Sequence, residues 1–213
     1  MAVLPERDQV VKEPWHSMQN HLIVFVKNPV LGTVKTRLAA SIGEKKALEV
    51  HLDLMEKCRT ECLKVNAKRH LFYSKNIVED AWDMAHFEKH LQAEGDLGKK
   101  ITEAFRGIFQ QGGKVVIIGS DCFDLDAETI DEAFDKLESS DVVIGPANDG
   151  GYYLLGTNNF HPELFENVNW STETVLMETV QQAKQNNLRV TLLKELIDLD
   201  TIEDLKKSGY QLK

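Results

Sequence analysis

Three observations predict an α/β fold, a single three-layer α/β/α domain on a mixed, mostly parallel sheet. Short apolar, β-branched runs recur along the chain, and periodic helical stretches separate them. One Asn-Asp-Gly-Gly turn, finally, folds a strand back beside its predecessor.

The first strand is expected at Leu22–Lys27, apolar on both faces as a buried parallel strand must be, and stopped by Asn28-Pro29. A polar loop is then expected as far as Gly43, with Ser41-Ile-Gly-Glu44 resembling a capping box for a long helix from Glu44 to about Asn66. His70–Ser74 reads as a second strand, and Val78–Leu91 and Leu97–Gln111 as helices. The clearest strand is Lys114–Gly119, followed by a helix over Ala127–Glu138 and a strand over Asp141–Gly145. Asp149-Gly150 carries hairpin chemistry, so Tyr152–Leu155 is expected to run antiparallel. A helix over Thr172–Asn186, a strand over Leu188–Leu193 and a last helix capped by Thr201-Ile-Glu-Asp204 complete the chain.

Composition narrows the function. With 25 Lys and Arg against 34 Asp and Glu the formal charge is −9, which argues against covering nucleic acid or an anionic membrane. A local cationic cluster therefore calls for an explanation. The 3 cysteines, Cys58, Cys62 and Cys122, are too few for a disulfide framework and are expected as reduced thiols of a cytoplasmic protein. His86 and His90 share a helical spacing and are assigned no role. Residues 1–20 contain no apolar signal-peptide core and are expected to be a loosely held extension, with Met18 as an alternative start; residues 21–213 form the domain. No run is long and apolar enough for a membrane span.

In open α/β sheets ligands bind beyond the carboxyl ends of the strands, so the polar residues there are the candidates. Lys27, Lys35 and Arg37 follow the first strand in a loop that also holds Gly32. Arg forks and Lys point charges suit diphosphate oxygens. The loop is not a Walker P-loop, because Val34 precedes Lys35-Thr36, and no Gly-x-Gly-x-x-Gly follows the strand. Asp121 closes the central strand, where a carboxylate is placed for a hard divalent cation bridging phosphates. Asp124 and Asp126 read equally well as helix caps, and Cys122 as an inert buried thiol. Asp198 and Asp200 alternate in an extended segment and are expected to face opposite ways. Asp200, just outside the last helix, is the one chosen as the second carboxylate. Asp149-Gly150-Gly151 with Tyr152, and Trp170-Ser171, serve either as turn, cap and core or as walls for a sugar or base.

Lys27–Leu38, Gly95-Asp-Leu-Gly98, Gly119-Ser-Asp-Cys122, Asp149–Gly156, Trp170-Ser-Thr172 and Asp198-Leu-Asp-Thr201, in this order, resemble the bacterial DUF2064 family. That family belongs to the GT-A (nucleotide-diphospho-sugar transferase) superfamily, with a Rossmann-like sheet; some members, of the selenodomain-associated type, are linked to arsenosugar glycosylation. The resemblance runs from about Leu22 to the C-terminus. It implies a glycosyltransferase that moves a sugar from a nucleotide-diphospho-sugar to a small acceptor with Mg²⁺ or Mn²⁺. Lys27, Gly32, Lys35 and Arg37 would hold nucleotide and phosphates, Asp121 and Asp200 the metal, and Gly150, Gly151, Tyr152, Trp170 and Ser171 the sugar or acceptor. Asp149 would be the catalytic base. Phe123 stands where the family pattern has Pro, so the turn presenting Asp121 is expected to differ in detail. Two other readings remain open: a nucleotidyltransferase like the 2-phospholactate guanylyltransferases, releasing pyrophosphate from an NTP, and a catalytically silent nucleotide-binding domain.

Overall fold

The computed structural model describes residues 19–212. Strands β1 (Asn20–Val26), β2 (Lys68–Tyr73), β3 (Glu88–Leu91), β4 (Lys114–Gly119), β5 (Val142–Pro146), β6 (Tyr152–Thr157) and β7 (Val190–Leu192) join one sheet. Their order is β3-β2-β1-β4-β6-β5-β7. All neighbours run parallel except β6, which is antiparallel to both β4 and β5. The predicted hairpin is therefore present: Ala147 N donates to Gly151 O across the turn.

The apolar runs predicted as strands are buried because helices cover both of their faces. On one face α2 (Glu44–Lys64) and α4 (Ala127–Lys136) pack Met55, Cys58, Ile130 and Phe134 against Leu22, Val24, Val116 and Ile118. On the other, α3 (Leu97–Phe109) and α5 (Val175–Gln185) pack Ile101, Phe105 and Ala183 against Ile23, Ile117 and Leu155. A third cluster joins α1 (Thr36–Ile42) and α2 to α6 (Ile202–Lys207) through Leu38, Leu54 and Leu205. Among the described residues, no helix is long and apolar enough to cross a membrane.

The structure corrects the sequence reading in several places. The loop after β1 is not irregular to Gly43, since Thr36–Ile42 form a short helix. Ser41 lies inside that helix, and the N-cap of α2 is Gly43 with no side-chain cap. The helix expected over Val78–Leu91 is absent; turns lead into edge strand β3, while Trp82 and Phe87 anchor the segment in the core. A 3-10 turn at Pro162–Phe165 precedes α5, which starts only at Val175. Asn20, placed in the extension, is the first residue of β1, Gln19 O before it accepts from Lys114 N, and residues 1–18, Met18 included, lie outside the described residues. Asp126 is indeed the cap of α4, accepting from Thr129 N, and Thr201 with Asp204 closes the predicted capping box of α6.

Candidate active site

The chain leaves β1 toward β2 on one side and β4 continues on the other, so the β1/β4 boundary is the topological switch where such sheets open a crevice. Two adjoining cavities occupy that place. The inner one, about 250 Å³, is mostly apolar and lies between Phe25, Ile101 and Ile117 with Lys27 and Asp121 at its mouth. The outer one, about 640 Å³, is polar and is lined by Lys27, Lys35 and Arg37 together with Asp149, Asp198 and Asp200.

Lys35 is the centre of this geometry. Its Nζ lies 2.6 Å from Asp121 Oδ1 and 3.1 Å from Asp200 Oδ1, and the side chain is only 2% exposed. Burial alone would lower the ammonium pKa, but the two carboxylates outweigh it and hold Lys35 above its usual value. Arg37 NH2 donates to Asp200 Oδ2 at 2.5 Å. Both oxygens of Asp200 are thus engaged. The Lys35 backbone is left-handed (φ 49), as is that of Ser171 (φ 64), and both residues line the outer cavity. Such strain in non-glycine residues persists where the surroundings over-determine it, which is commonest at functional sites.

The supports lie deeper. His51 of α2, fully enclosed, has its Nε2 3.1 Å from Lys27 O and fixes the end of β1. Burial keeps that imidazole below its ordinary pKa, so the neutral ring donates this bond. Asn28 ties the β1 loop to the β2 loop, donating to Asn76 O and accepting from Lys75 N. Phe123 packs edge-on against Tyr210, ring centroids 5.4 Å apart, and anchors the turn that carries Asp121 to the C-terminal segment.

Asp198, set aside in the sequence reading, is brought into the site. Asp200 N donates to Asp198 O at 3.0 Å, and this turn breaks the alternation that would have pointed the two carboxylates apart. Cys122 bridges Asp198 and Leu199 N donates to Asp121 O, so the segment lies directly beside Asp121. Burial, then the charges of Asp121 and Asp149, push the Asp198 carboxyl up to about 7. Among the described residues, no hydrogen bond or ion pair holds it.

The other candidates divide. Asp149 is exposed at the cavity wall, its Oδ1 accepting from Gly151 N. Gly151, the Tyr152 ring, Trp170 and Ser171 all line the outer cavity. Tyr152 presents no hydroxyl to it, because that end is buried next to Thr179. Ser171 caps nothing; the residue before α5 is Thr174. Gly32 lies in the Val30–Thr33 turn and lines neither cavity. Gly150 is a clamp: its φ is 86 and a Cβ there would stand 2.1 Å from Glu173 O. Asp124 is exposed and lines neither cavity. Burial pushes the Cys122 thiol up to about 12, consistent with an inert sulfur.

Whether the residues fit a divalent cation can be tested on the donors. Among the described residues Asp121 keeps Oδ2 without a partner and Asp198 its whole carboxylate, both hard oxygen donors suited to Mg²⁺ or Mn²⁺. Acidic side chains also outnumber cationic ones around the two cavities, so a diphosphate would meet net repulsion without a cation. Asp121 and Asp198 fit; Asp200, committed to Lys35 and Arg37, does not.

The seven-stranded sheet with one reversed strand opens at its switch point onto a cleft lined by cationic and acidic side chains, and its fold is of the nucleotide-diphospho-sugar transferase type. The chain belongs to DUF2064, a family of uncharacterized proteins conserved in bacteria, whose model matches residues 59–172. That match contains Asp121, Asp149 and Trp170 but neither the Lys27–Arg37 loop nor Asp198 and Asp200. A crystal structure from Desulfovibrio desulfuricans G20, provisionally named a nucleotide-diphospho-sugar transferase, is 31% identical over 87% of this chain and 84% of its own, with a TM-score of 0.82. The inositol-1-phosphate CTP transferase of T. maritima shares the fold at 11% identity, TM-score 0.56, over 90% of this chain and 93% of that one. So does a 4-diphosphocytidyl-2C-methyl-D-erythritol synthase, at 8% identity, TM-score 0.58, over 89% and 96%. No curated protein matches the chain.

Proposed function

We propose that this protein is a glycosyltransferase that carries a sugar from a nucleotide-diphospho-sugar to a small acceptor. The observation that carries the reading is the Lys35–Asp121–Asp200–Arg37 cluster beside an apolar chamber at the β1/β4 switch. The chamber suits a base or ribose, and the cationic wall suits the diphosphate. The likeness to the Desulfovibrio protein supports the same class.

In the reaction, the acceptor hydroxyl attacks the anomeric carbon, the bond from that carbon to the diphosphate oxygen breaks, and the nucleoside diphosphate leaves. Charge develops on the leaving oxygens, where Lys35 and Arg37 are fixed in advance and need no reorganisation. A divalent cation held by Asp121 Oδ2 and Asp198 would supply further neutralisation of that charge. Asp200 then serves as the brace for Lys35 and Arg37. Asp149, exposed in the lining of the outer cavity, takes the acceptor proton. Trp170 and the Tyr152 ring form the apolar wall against which the sugar ring lies.

Incubation with a panel of nucleotide-diphospho-sugars and of NTPs, each with Mg²⁺ or Mn²⁺, tests this. Glycosyl transfer releases free nucleoside diphosphate. Pyrophosphate from an NTP would establish nucleotidyl transfer instead, and binding without turnover across a broad acceptor panel would make the chain a silent nucleotide-binding domain. Asp121→Ala is expected to abolish metal-dependent nucleotide binding; unchanged binding would overturn the site.

A further inference from the structure

At the other end of the sheet, three ligating side chains converge where the candidate active site does not reach. His70 of β2 and Glu88 and His90 of β3 point to one face of two paired parallel strands, in the register His70↔Glu88 and Phe72↔His90. His70 Nδ1 lies 3.1 Å from Glu88 Oε2 and 3.4 Å from His90 Nε2, and the last two atoms are 4.0 Å apart. We propose that His70, Glu88 and His90 form a site for a borderline divalent transition-metal ion, Zn²⁺ being the test ion, that fastens edge strand β3 to the sheet.

The distances carry the argument. Ligands about 2.0–2.1 Å from a tetrahedral Zn²⁺ stand roughly 3.3–3.4 Å from one another. The three donor atoms already enclose nearly that triangle, so only small side-chain rotations are needed. Two imidazole nitrogens and one carboxylate oxygen form a donor set for Zn²⁺ and its first-row neighbours, not for Mg²⁺ or Ca²⁺, which take oxygen. Glu88 is half exposed and His90 about a third, so ions enter from solvent and a water completes the fourth position.

Neighbouring rings already hold both imidazoles in place. His21 Nδ1 lies 3.0 Å from His70 Nε2, and both rings are fully buried and stacked. When Nδ1 of His70 binds metal, its proton sits on Nε2 and is donated to His21 Nδ1. Such a partner orients a ligating histidine and raises its basicity. Behind His90, the Phe72 ring stacks at 4.6 Å and fixes that imidazole plane. One competitor is present: Lys68 Nζ lies 3.1 Å from Glu88 Oε2. It also reaches Gln111 Oε1 at 2.9 Å, a second partner that keeps it satisfied when Glu88 turns to the metal.

The location gives the ion a structural task. β3 is four residues long and, among the described residues, pairs only with β2, so few backbone bonds hold it. A metal with one ligand from β2 and two from β3 adds a cross-link to that weak edge, and binding free energy becomes folding free energy.

Untagged protein, stripped with chelator, is titrated with Zn²⁺ by calorimetry and with Co²⁺ by visible absorption. One equivalent is expected to bind at micromolar or tighter affinity, with tetrahedral Co²⁺ bands and a higher Tm. His90→Ala and the nearly isosteric Glu88→Gln are each expected to weaken binding at least ~10-fold, by analogy with losses at supporting positions. Asp121→Asn should leave it unchanged, as should millimolar Mg²⁺. Absence of binding at 1 mM Zn²⁺, or binding that both edge-strand variants leave intact, would overturn the proposal.

Discussion

Lys35 Nζ sits 2.6 Å from Asp121 Oδ1, although the two residues belong to loops that follow different strands of the sheet. With Asp200 as the third member, one ammonium joins the loop after β1, the loop after β4 and the C-terminal segment. Lys35→Ala is therefore expected to act twice. It leaves two partly enclosed carboxylates facing each other, lowering stability by about 1–3 kcal/mol, and it removes the phosphate contact proposed for Lys35, lowering nucleotide affinity at least ~10-fold. Denaturant melts and calorimetric titration read the two effects separately, and a variant that binds as the parent does would remove Lys35 from the site.

Asp198 makes the metal-free protein sensitive to pH. Its folded carboxyl titrates near 7 whereas an unfolded one titrates near 3.8. The unfolded chain thus releases its proton first, and folded stability falls as pH rises from about 4 to 7, then levels off. In chelator, Asp198→Asn is expected to melt higher than the parent at pH 8 and equally at pH 3.5. Melting curves at the two pH values decide it; an equal Tm at pH 8 would mean the carboxylate is better solvated than its surroundings imply. Added Mg²⁺ should narrow the gap by stabilising only the parent.

Gly98 tests the wall of the cleft. A Cβ at this first turn of α3 would lie 2.1 Å from Trp170 Nε1, so the indole must move if Gly98→Ala is made. Overpacking of this kind costs about 1–3 kcal/mol. Because Trp170 lines the outer cavity, KM for the sugar-bearing substrate is expected to rise with it. Loss of stability with unchanged kinetics would show that Trp170 is packing alone.

Thr201 offers a milder perturbation of the same cleft from outside it. Its hydroxyl accepts from Asp204 N while the Asp204 carboxylate accepts from Thr201 N, closing the start of α6 one residue after Asp200. Thr201→Ala is expected to cost about 1 kcal/mol. It also frees the backbone that presents Asp200 to Arg37, so nucleotide affinity should fall by less than for Lys35→Ala. Heat-denaturation and binding measurements on the two variants give the ranking.

How far the sequence can be read depends on whether burial or a turn decides the outcome. β4 was predicted with its observed ends, because Val115–Ile118 are apolar on both faces and a glycine closes them. Residues 78–91 misled for the opposite reason: only Trp82 and Phe87 are anchored in the core, and charged residues at helical spacing imitate an amphipathic pattern there. α1 was missed because its N-cap is Lys35, in a left-handed backbone and with no side-chain cap, and not the Ser, Thr, Asp or Asn that marks a helix start in sequence. Lys27, Lys35, Arg37 and Asp121 were singled out by residue type at strand ends, and all four line the two cavities. Asp198 was not, since a single backbone bond to Asp200 N reverses the alternation and leaves no mark in residue type. His90 was read on a helix with His86, and its true partners arrive from β2 through strand pairing.

Strand β6 runs against its neighbours and lies between β4 and β5. Adjacent strands are about 4.8 Å apart, so the carboxyl ends of β4 and β5, with the loops of Asp121 and Asp149, stand roughly 9–10 Å apart. An uninterrupted parallel sheet would have set them at half that span. The reversed strand thus acts as a spacer, holding the loops of Asp121 and Asp149 one strand's width further apart than direct pairing would allow.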